Sequence, residues 1–97
     1  MTARRHYLVA YDISDDKRRD QVYKTLLDHG DHAQYSVFFC ELNPRELVGL
    51  KGLLNEYINQ RTDQVIILDL GNADNPLDSG LETLGKAYQP TARVTVV

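Results

Sequence analysis

Two stretches of the chain have the hydrophobic pattern of strands. Residues 6–13 are rich in aromatic and β-branched side chains, and their central apolar run is typical of a strand covered on both faces. Residues 64–70 form the least ambiguous strand and are followed at 71–80 by a loop rich in turn residues. Beyond the loop, residues 81–88 fit a short strand or a helical turn, whereas 93–97 predict a terminal strand.

Two helices are predicted between these strands. The first spans residues 15–29, with Ser14 as its N-cap and Gly30 as its C-terminal cap. The second spans residues 44–59 and follows Asn43, with proline at the first helical position and glutamate three residues after the cap. The apolar stripes that would face a core are Val22, Tyr23, Leu26 and Leu27 in the first helix and Leu47, Leu50, Leu54, Tyr57 and Ile58 in the second.

The segment between the helices is the hardest to place. Residues 31–42 have apolar side chains on both faces of an extended chain. Twelve residues are few for a hairpin, so the segment either bends sharply or stays a single strand. The order of elements predicts an α+β fold in which both helices cover one face of an antiparallel sheet, and a ferredoxin-like sandwich is the natural choice. We expect a single domain over residues 1–97.

The composition is that of a globular domain and excludes several kinds of site. Hydrophobic residues make up 42% of the chain, and Cys40 is the single cysteine, which precludes an intramolecular disulfide or a cysteine-based zinc site. A lone cysteine favours a reducing setting, and the first apolar stretch is too short for a signal peptide or a membrane span. We therefore expect a cytoplasmic protein with no membrane partner. Nucleophile-elbow and P-loop motifs are absent, which disfavours covalent catalysis and P-loop nucleotide hydrolysis.

Charge is unevenly distributed along the chain. The formal net charge of −3 argues against a uniformly basic nucleic-acid binder. Residues 1–24 nevertheless hold six Lys and Arg against four Asp, which is consistent with one basic face. Lys17, Arg18 and Arg19 lie in the first turns of the first helix, where cations are unfavourable for the helix dipole. They are candidates for phosphate recognition, and local pairing with aspartates is the alternative.

Asp12 is the residue best placed for chemistry. It stands at the carboxyl end of a strand and directly before a helix, where sheets with helical crossovers present ligand groups. One carboxylate cannot hold Mg²⁺ well, because the ion takes about six oxygens, so a second Asp12 from a twofold partner would help. The alternative is that Asp12 orders the strand-to-helix turn. The aromatic residues Tyr11, Tyr35, Phe38 and Phe39 can in principle stack on bases, but such residues on apolar strands more often pack in a core or an interface.

These features together resemble a known family. The first strand closes in Tyr-Asp-Ile at 11–13, Ser-Asp-Asp-Lys-Arg-Arg follows at 14–19, and Gln-Tyr-Ser-Val-Phe occurs at 34–38. In order and spacing they are similar to the CRISPR-associated protein 2 family, over roughly residues 6–70. The resemblance implies a metal-dependent endonuclease of CRISPR adaptation and antiviral defence, which cleaves single-stranded RNA or duplex DNA with Asp12 as the catalytic ligand of Mg²⁺. It also implies phosphate contacts by Arg19 and its neighbour Arg18.

The resemblance further implies a homodimer. The Asp12 carboxylates of the two subunits would face each other, Tyr11, Ser36 and Phe38 would belong to the interface, and residues 89–97 would dock as a strand on the partner. A second role implied by the family is non-enzymatic, in which the dimer bridges copies of the CRISPR integrase and supports DNA during spacer acquisition. A metabolite-binding module or a toxin-like ribonuclease of the same fold is the alternative from outside the family. A metabolite-binding module would more naturally have a glycine-rich first loop.

Overall fold

The computed structural model describes residues 3–88, which form a four-stranded antiparallel sheet with two helices on one face. The order across the sheet is second, third, first and fourth strand, and the predicted ferredoxin-like sandwich is confirmed. The elements in chain order are β1 (Arg5–Asp12), α1 (Asp16–Leu27), β2 (Gly30–Gln34), β3 (Val37–Leu42), α2 (Pro44–Tyr57), β4 (Gln64–Asn72) and a short 3-10 helix (Leu77–Ser79).

The segment between the helices bends sharply into a hairpin. Gln34 pairs with Val37, so Tyr35 and Ser36 alone form the turn between β2 and β3. A two-residue turn is the shortest common hairpin connection, and it explains how two strands fit into so few residues. The first of the two predicted alternatives is therefore right.

Both ends of α1 differ from the prediction. Asp15 rather than Ser14 is the N-cap, and its side chain accepts a hydrogen bond from the Arg18 backbone N–H. A charged cap also interacts favourably with the helix dipole. At the other end Asp28 is the C-cap, whereas Gly30 is the first residue of β2. Glycine is required there because a Cβ atom would overlap the neighbouring strand β3.

The core lies between the helices and the inner face of the sheet. Leu50 and Leu54 of α2 are buried, and the remaining members of the predicted stripe on this helix pack against the core. In α1 the stripe is shifted slightly, since Leu27 is 37% exposed and Thr25 is buried. The largest fully buried side chains are Phe38, Leu26, Leu50, Val9, Val22 and Cys40.

The outer face of the sheet is only partly covered by the described residues, so within residues 3–88 β1 is not covered on both faces as predicted. Along β1 fully buried residues alternate with half-buried ones. Leu8 pairs with Leu68 of β4, and Ala10 pairs with Ile66, so these four side chains share one face. Ile66 and Leu68 are 52% and 53% exposed. We refer to Leu8, Ala10, Ile66 and Leu68 as the outer apolar face.

The end of the chain is described only in part. Residues 81–88 form neither of the two predicted elements, and the Tyr88 ring packs edge-on against Phe39. The predicted terminal strand at 93–97, and with it the docking segment 89–97, lies outside the described residues. Within residues 3–88, the helices are too short or too polar to cross a membrane.

Candidate functional site

A groove of about 760 Å³ opens where the end of β1 meets the start of α1 and the tip of the β2–β3 hairpin. Its volume is in the range of ligand-binding clefts. The end of β1 and the start of α1 are contiguous in sequence, and the hairpin tip reaches them because β3 lies beside β1 in the sheet. The groove includes Asp12, Lys17, Arg19, Tyr35 and Ser36.

Asp12 presents a free carboxylate to this groove. It is the last residue of β1 and is exposed, whereas the residues on either side, Tyr11 and Ile13, are buried. Within residues 3–88 its side chain forms no hydrogen bond and no ion pair. The alternative that Asp12 orders the strand-to-helix turn is not seen, because Asp15 supplies the helix cap. The position is suited to a ligand outside the chain.

The carboxylates around Asp12 decide what kind of metal site a single chain can offer. Asp16 and Asp20 line the same groove, but Asp16 is paired with Arg19 and Asp20 with Lys24. Among the described residues no three acidic, histidine or cysteine side chains are close enough together to hold a metal ion. Within residues 3–88 this groove therefore offers one unpaired carboxylate, that of Asp12. It can supply one of the one or two carboxylates that Mg²⁺ commonly takes before water and phosphate complete its shell.

Arg19 holds the turn that follows Asp12. One guanidinium nitrogen lies 3.3 Å from the carbonyl oxygens of both Ile13 and Ser14, and another binds the Asp16 carboxylate. The side chain remains 46% exposed and faces the groove. It can support the turn that carries Asp12 and still offer positive charge to an anion there.

Arg18 has a different partner. Its Nε donates to Asp63 Oδ2 at 2.7 Å, and a second nitrogen lies 3.3 Å from Oδ1, which makes the pair bidentate. The Asp63 side chain is 1% exposed and also accepts a hydrogen bond from the Asn59 N–H. The Arg18 guanidinium, aided by that N–H, lowers the pKa of the Asp63 carboxyl. Arg18 thus joins the start of α1 to the segment before β4 and does not line the groove.

The predicted basic face is largely neutralised. Arg4 binds two glutamates and Arg5 binds Asp69. Together with the pairs of Arg18, Arg19 and Lys24, these contacts give every cation of the first 24 residues an acidic partner except Lys17, as far as residues 3–88 are concerned. Lys17 is exposed and, of the two cations that line the groove, it is the one without an acidic partner among residues 3–88.

The three residues suggested for a dimer interface have different surroundings. The rings of Tyr11 and Phe38 are stacked at 6.3 Å inside the chain's own core, where they are 8% and 0% exposed. Burial raises the pKa of the Tyr11 phenol, so it stays protonated beside the groove. A role of either side chain in a dimer interface stays a prediction. Ser36 lies on the hairpin turn and is half-buried, and its interface role stays a prediction.

Sequence reasoning missed two residues of this region. Asp63 had no signal, because its partner Arg18 is 45 positions away and the pairing depends on the fold. Tyr35 was one of four aromatic residues for most of which packing was predicted, and it is 92% exposed at the tip of the hairpin. The sequence indicated a turn at Tyr35 only in that Val37 and Phe38, two and three residues later, can begin a strand.

The chain is similar in sequence to members of a known family. The family profile described as CRISPR associated protein Cas2 matches residues 5–75. CRISPR-associated endoribonuclease Cas2 1 of Rhodospirillum rubrum is 41% identical over 91 residues, which cover 94% of this chain and 88% of that protein. CRISPR-associated endoribonuclease Cas2 of Geobacter sulfurreducens is 35% identical over 91 residues, with coverages of 94% and 95%.

Solved structures agree with the sequence matches. Streptococcus pyogenes Cas2 has a TM-score of 0.73 and 35% identity, and the match covers 82% of this chain and 99% of that one. A Thermus thermophilus protein described as hypothetical has a TM-score of 0.76 and 32% identity, with coverages of 91% and 99%. The sheet order and the two helices are thus features shared with these structures.

Proposed function

The chain belongs to the Cas2 family of CRISPR-associated proteins, and from this premise we propose that it is a Mg²⁺-dependent endonuclease that cleaves phosphodiester bonds of RNA or DNA during CRISPR adaptation and antiviral defence. The observation that carries the proposal is the exposed, unpaired carboxylate of Asp12 in a groove that also holds Lys17 and Arg19. The relatives named as endoribonucleases support the same class of reaction.

The chemistry divides among a few groups of the chain. Asp12 would hold Mg²⁺, which when bound polarises a phosphoryl oxygen and lowers the pKa of an attacking water. Lys17 and Arg19 would attract and orient the phosphate, and their charge favours the extra negative charge of the transition state. Arg19 also keeps the turn after Asp12 in place through its hydrogen bonds to the Ile13 and Ser14 carbonyl oxygens.

We propose that the active form is a homodimer. In the groove of a single chain, Asp12 is the one unpaired carboxylate among residues 3–88, and a second Asp12 across a twofold axis would complete a two-carboxylate site. The outer apolar face supports this proposal, because adjacent apolar side chains that are half-buried or exposed on one face of a sheet often belong to an interface. Two carboxylates brought together in this way would repel each other unless a metal ion lies between them.

The first prediction tests Asp12 directly. Asp12→Ala and the nearly isosteric Asp12→Asn should each lower Mg²⁺-dependent cleavage of single-stranded RNA or duplex DNA at least ~100-fold, since a metal supplies several kcal/mol of transition-state stabilisation and each 1.36 kcal/mol is a factor of ten. Asp28→Asn is the matched control, because Asp28 is an exposed carboxylate at the far end of α1. Cleavage is measured with Mg²⁺ and with EDTA, at two salt concentrations.

The outcome separates two roles. Retained cleavage by both Asp12 variants, or equal cleavage in EDTA, would rule out the metal-dependent mechanism. The second candidate is a non-catalytic adaptor that bridges copies of the CRISPR integrase on DNA. It is supported by the lack of a free general base beside Asp12, because within residues 3–88 the groove holds no histidine and Asp16 and Asp20 are both paired with cations. Co-purification with the integrase, and spacer integration that survives Asp12→Ala, would support the adaptor.

A further inference from the structure

The tip of the β2–β3 hairpin carries an aromatic ring that the fold does not use. The Tyr35 side chain is 92% exposed. Its ring packs against no other ring within residues 3–88, and its hydroxyl forms no hydrogen bond there, although Tyr11, Tyr23 and Phe38 nearby are linked by ring contacts. An exposed ring of this size retains apolar area that a ligand can cover.

The backbone conformation of Tyr35 is unfavourable for a tyrosine, so the turn itself does not explain why tyrosine occupies this position. Its φ is +35°, and it is the one non-glycine residue with positive φ in the described part of the chain. Two-residue hairpin turns with positive φ at their first central position strongly prefer glycine, because a Cβ atom is strained in that conformation. Glycine would serve the turn better than tyrosine. Strained residues of this kind cluster at ligand-binding sites.

The turn is braced, so the ring projects from a fixed backbone. His32 Nε2 lies 2.6 Å from the Tyr35 carbonyl oxygen, and the Tyr11 N–H donates to the Ser36 carbonyl oxygen at 3.1 Å. The His32 ring is in turn packed on Phe38, with ring centroids 4.9 Å apart. Because the backbone of the turn is already fixed, only the side chain of Tyr35 has conformational entropy to lose when a ligand covers the ring.

Tyr35 lines the same groove as Asp12, Lys17 and Arg19. Exposed aromatic rings beside cations are the means by which proteins bind single-stranded nucleic acids, since the cations attract the phosphates and the rings stack on the bases. We propose that Tyr35 is a stacking platform for an unpaired nucleobase of the strand whose phosphate lies at Asp12. This inference rests on the proposed nuclease function and narrows its substrate to single strands, or to duplexes with an unpaired base next to the scissile bond.

The test uses two variants of the full chain. Tyr35→Phe keeps the ring, whereas Tyr35→Gly removes it and suits the positive φ. The probe is a short single-stranded RNA with 2-aminopurine at successive positions, followed by stopped-flow fluorescence, which detects binding before turnover. Wild type and Tyr35→Phe should both quench the fluorescence of 2-aminopurine at one position of the RNA, and their Kd values should lie within about twofold of each other. Tyr35→Gly should lose the quenching and raise Kd roughly 5- to 150-fold, the range for one lost base stack.

Three controls make the result specific. An abasic site at the quenched position should weaken binding to wild type but not to Tyr35→Gly. A blunt duplex should bind all three proteins equally. The thermal midpoint of Tyr35→Gly should be equal to or above that of wild type, which excludes unfolding as the cause of weaker binding.

Several outcomes would overturn the inference. Weaker RNA binding by Tyr35→Phe would mean that the hydroxyl, and not the ring, makes the contact. If Tyr35→Gly lost as much affinity for the blunt duplex as for single-stranded RNA, the cause would be a changed turn. A changed oligomeric state of Tyr35→Gly would assign the ring to a protein interface. Unchanged binding by Tyr35→Gly overturns it as well. If Asp12→Ala retains cleavage while Tyr35→Gly loses the stack, the nuclease mechanism fails and the stacking platform stands. If wild type binds no oligonucleotide, both proposals fail.

Discussion

At the scale of single residues, the availability of a cation depends on its partners rather than on its position in the sequence. Lys17, Arg18 and Arg19 are consecutive and were candidates for phosphate recognition, with local pairing to aspartates as the alternative. In the structure Arg18 forms an ion pair with the buried Asp63 carboxylate. Arg19 binds Asp16 and the carbonyl oxygens of the turn, and Lys17 is exposed. A buried carboxylate that loses its only cationic partner is strongly disfavoured, so Arg18 cannot readily leave Asp63 for a phosphate.

This difference predicts distinct salt dependences for neighbouring variants. Lys17→Ala should weaken nucleic-acid binding and reduce the slope of log K against log salt concentration by about 1, because one phosphate contact is lost. Arg18→Ala should leave the slope unchanged while lowering the thermal midpoint by several degrees, because Asp63 loses its partner. Filter binding at four or more salt concentrations, with thermal melts of the same preparations, separates the two effects. An equal fall in slope for Arg18→Ala would mean that Arg18 contacts phosphate after all.

At the scale of elements, periodic features were predictable and contacts between distant residues were not. The stripe of α2 and the position of β4 follow from patterns within one segment, so both were identified correctly. The hairpin turn was harder, because Tyr35 occupies a conformation that usually signals its presence through glycine or asparagine. For the candidate site, Asp12 and Lys17 could be found because they lie in one contiguous segment, whereas Asp63 could not.

The start of α1 gives a prediction at this scale. Asp15 caps the helix by accepting from the Arg18 N–H at 2.9 Å, and Ser14, the cap expected from sequence, has no such bond. Asp15→Ala should therefore reduce the free energy of unfolding by about 1 kcal/mol, the usual cost of losing an N-cap. Asp15→Asn should recover most of it, since the amide oxygen still accepts. Ser14→Ala should stay within ~0.5 kcal/mol of wild type. Urea denaturation measures all three, and a larger loss for Ser14→Ala than for Asp15→Ala would assign the cap to Ser14.

At the scale of the whole molecule, the fold places its chemistry and its exposed apolar surface on the same central strand. Residues of β1 that point inward build the core, the residues between them contribute to the outer apolar face, and the last residue is Asp12. A partner that covered the outer face would therefore bind the strand that carries the carboxylate. Dimerisation and completion of the proposed metal site are expected to occur together.

The final prediction concerns this coupling. Leu68→Asp places a charge in the outer apolar face, where Leu68 is 53% exposed, and should raise the dimer Kd at least ~30-fold, the equivalent of about 2 kcal/mol for a residue central to an interface. Val48→Asp is the matched control, because Val48 is 69% exposed on α2. Sedimentation velocity over a concentration series gives both constants, and Mg²⁺-dependent cleavage should decrease only in Leu68→Asp. A dimer that tolerates Leu68→Asp would show that the outer apolar face is not the dimer interface. A monomer that retains Mg²⁺-dependent cleavage would show that one Asp12 is enough.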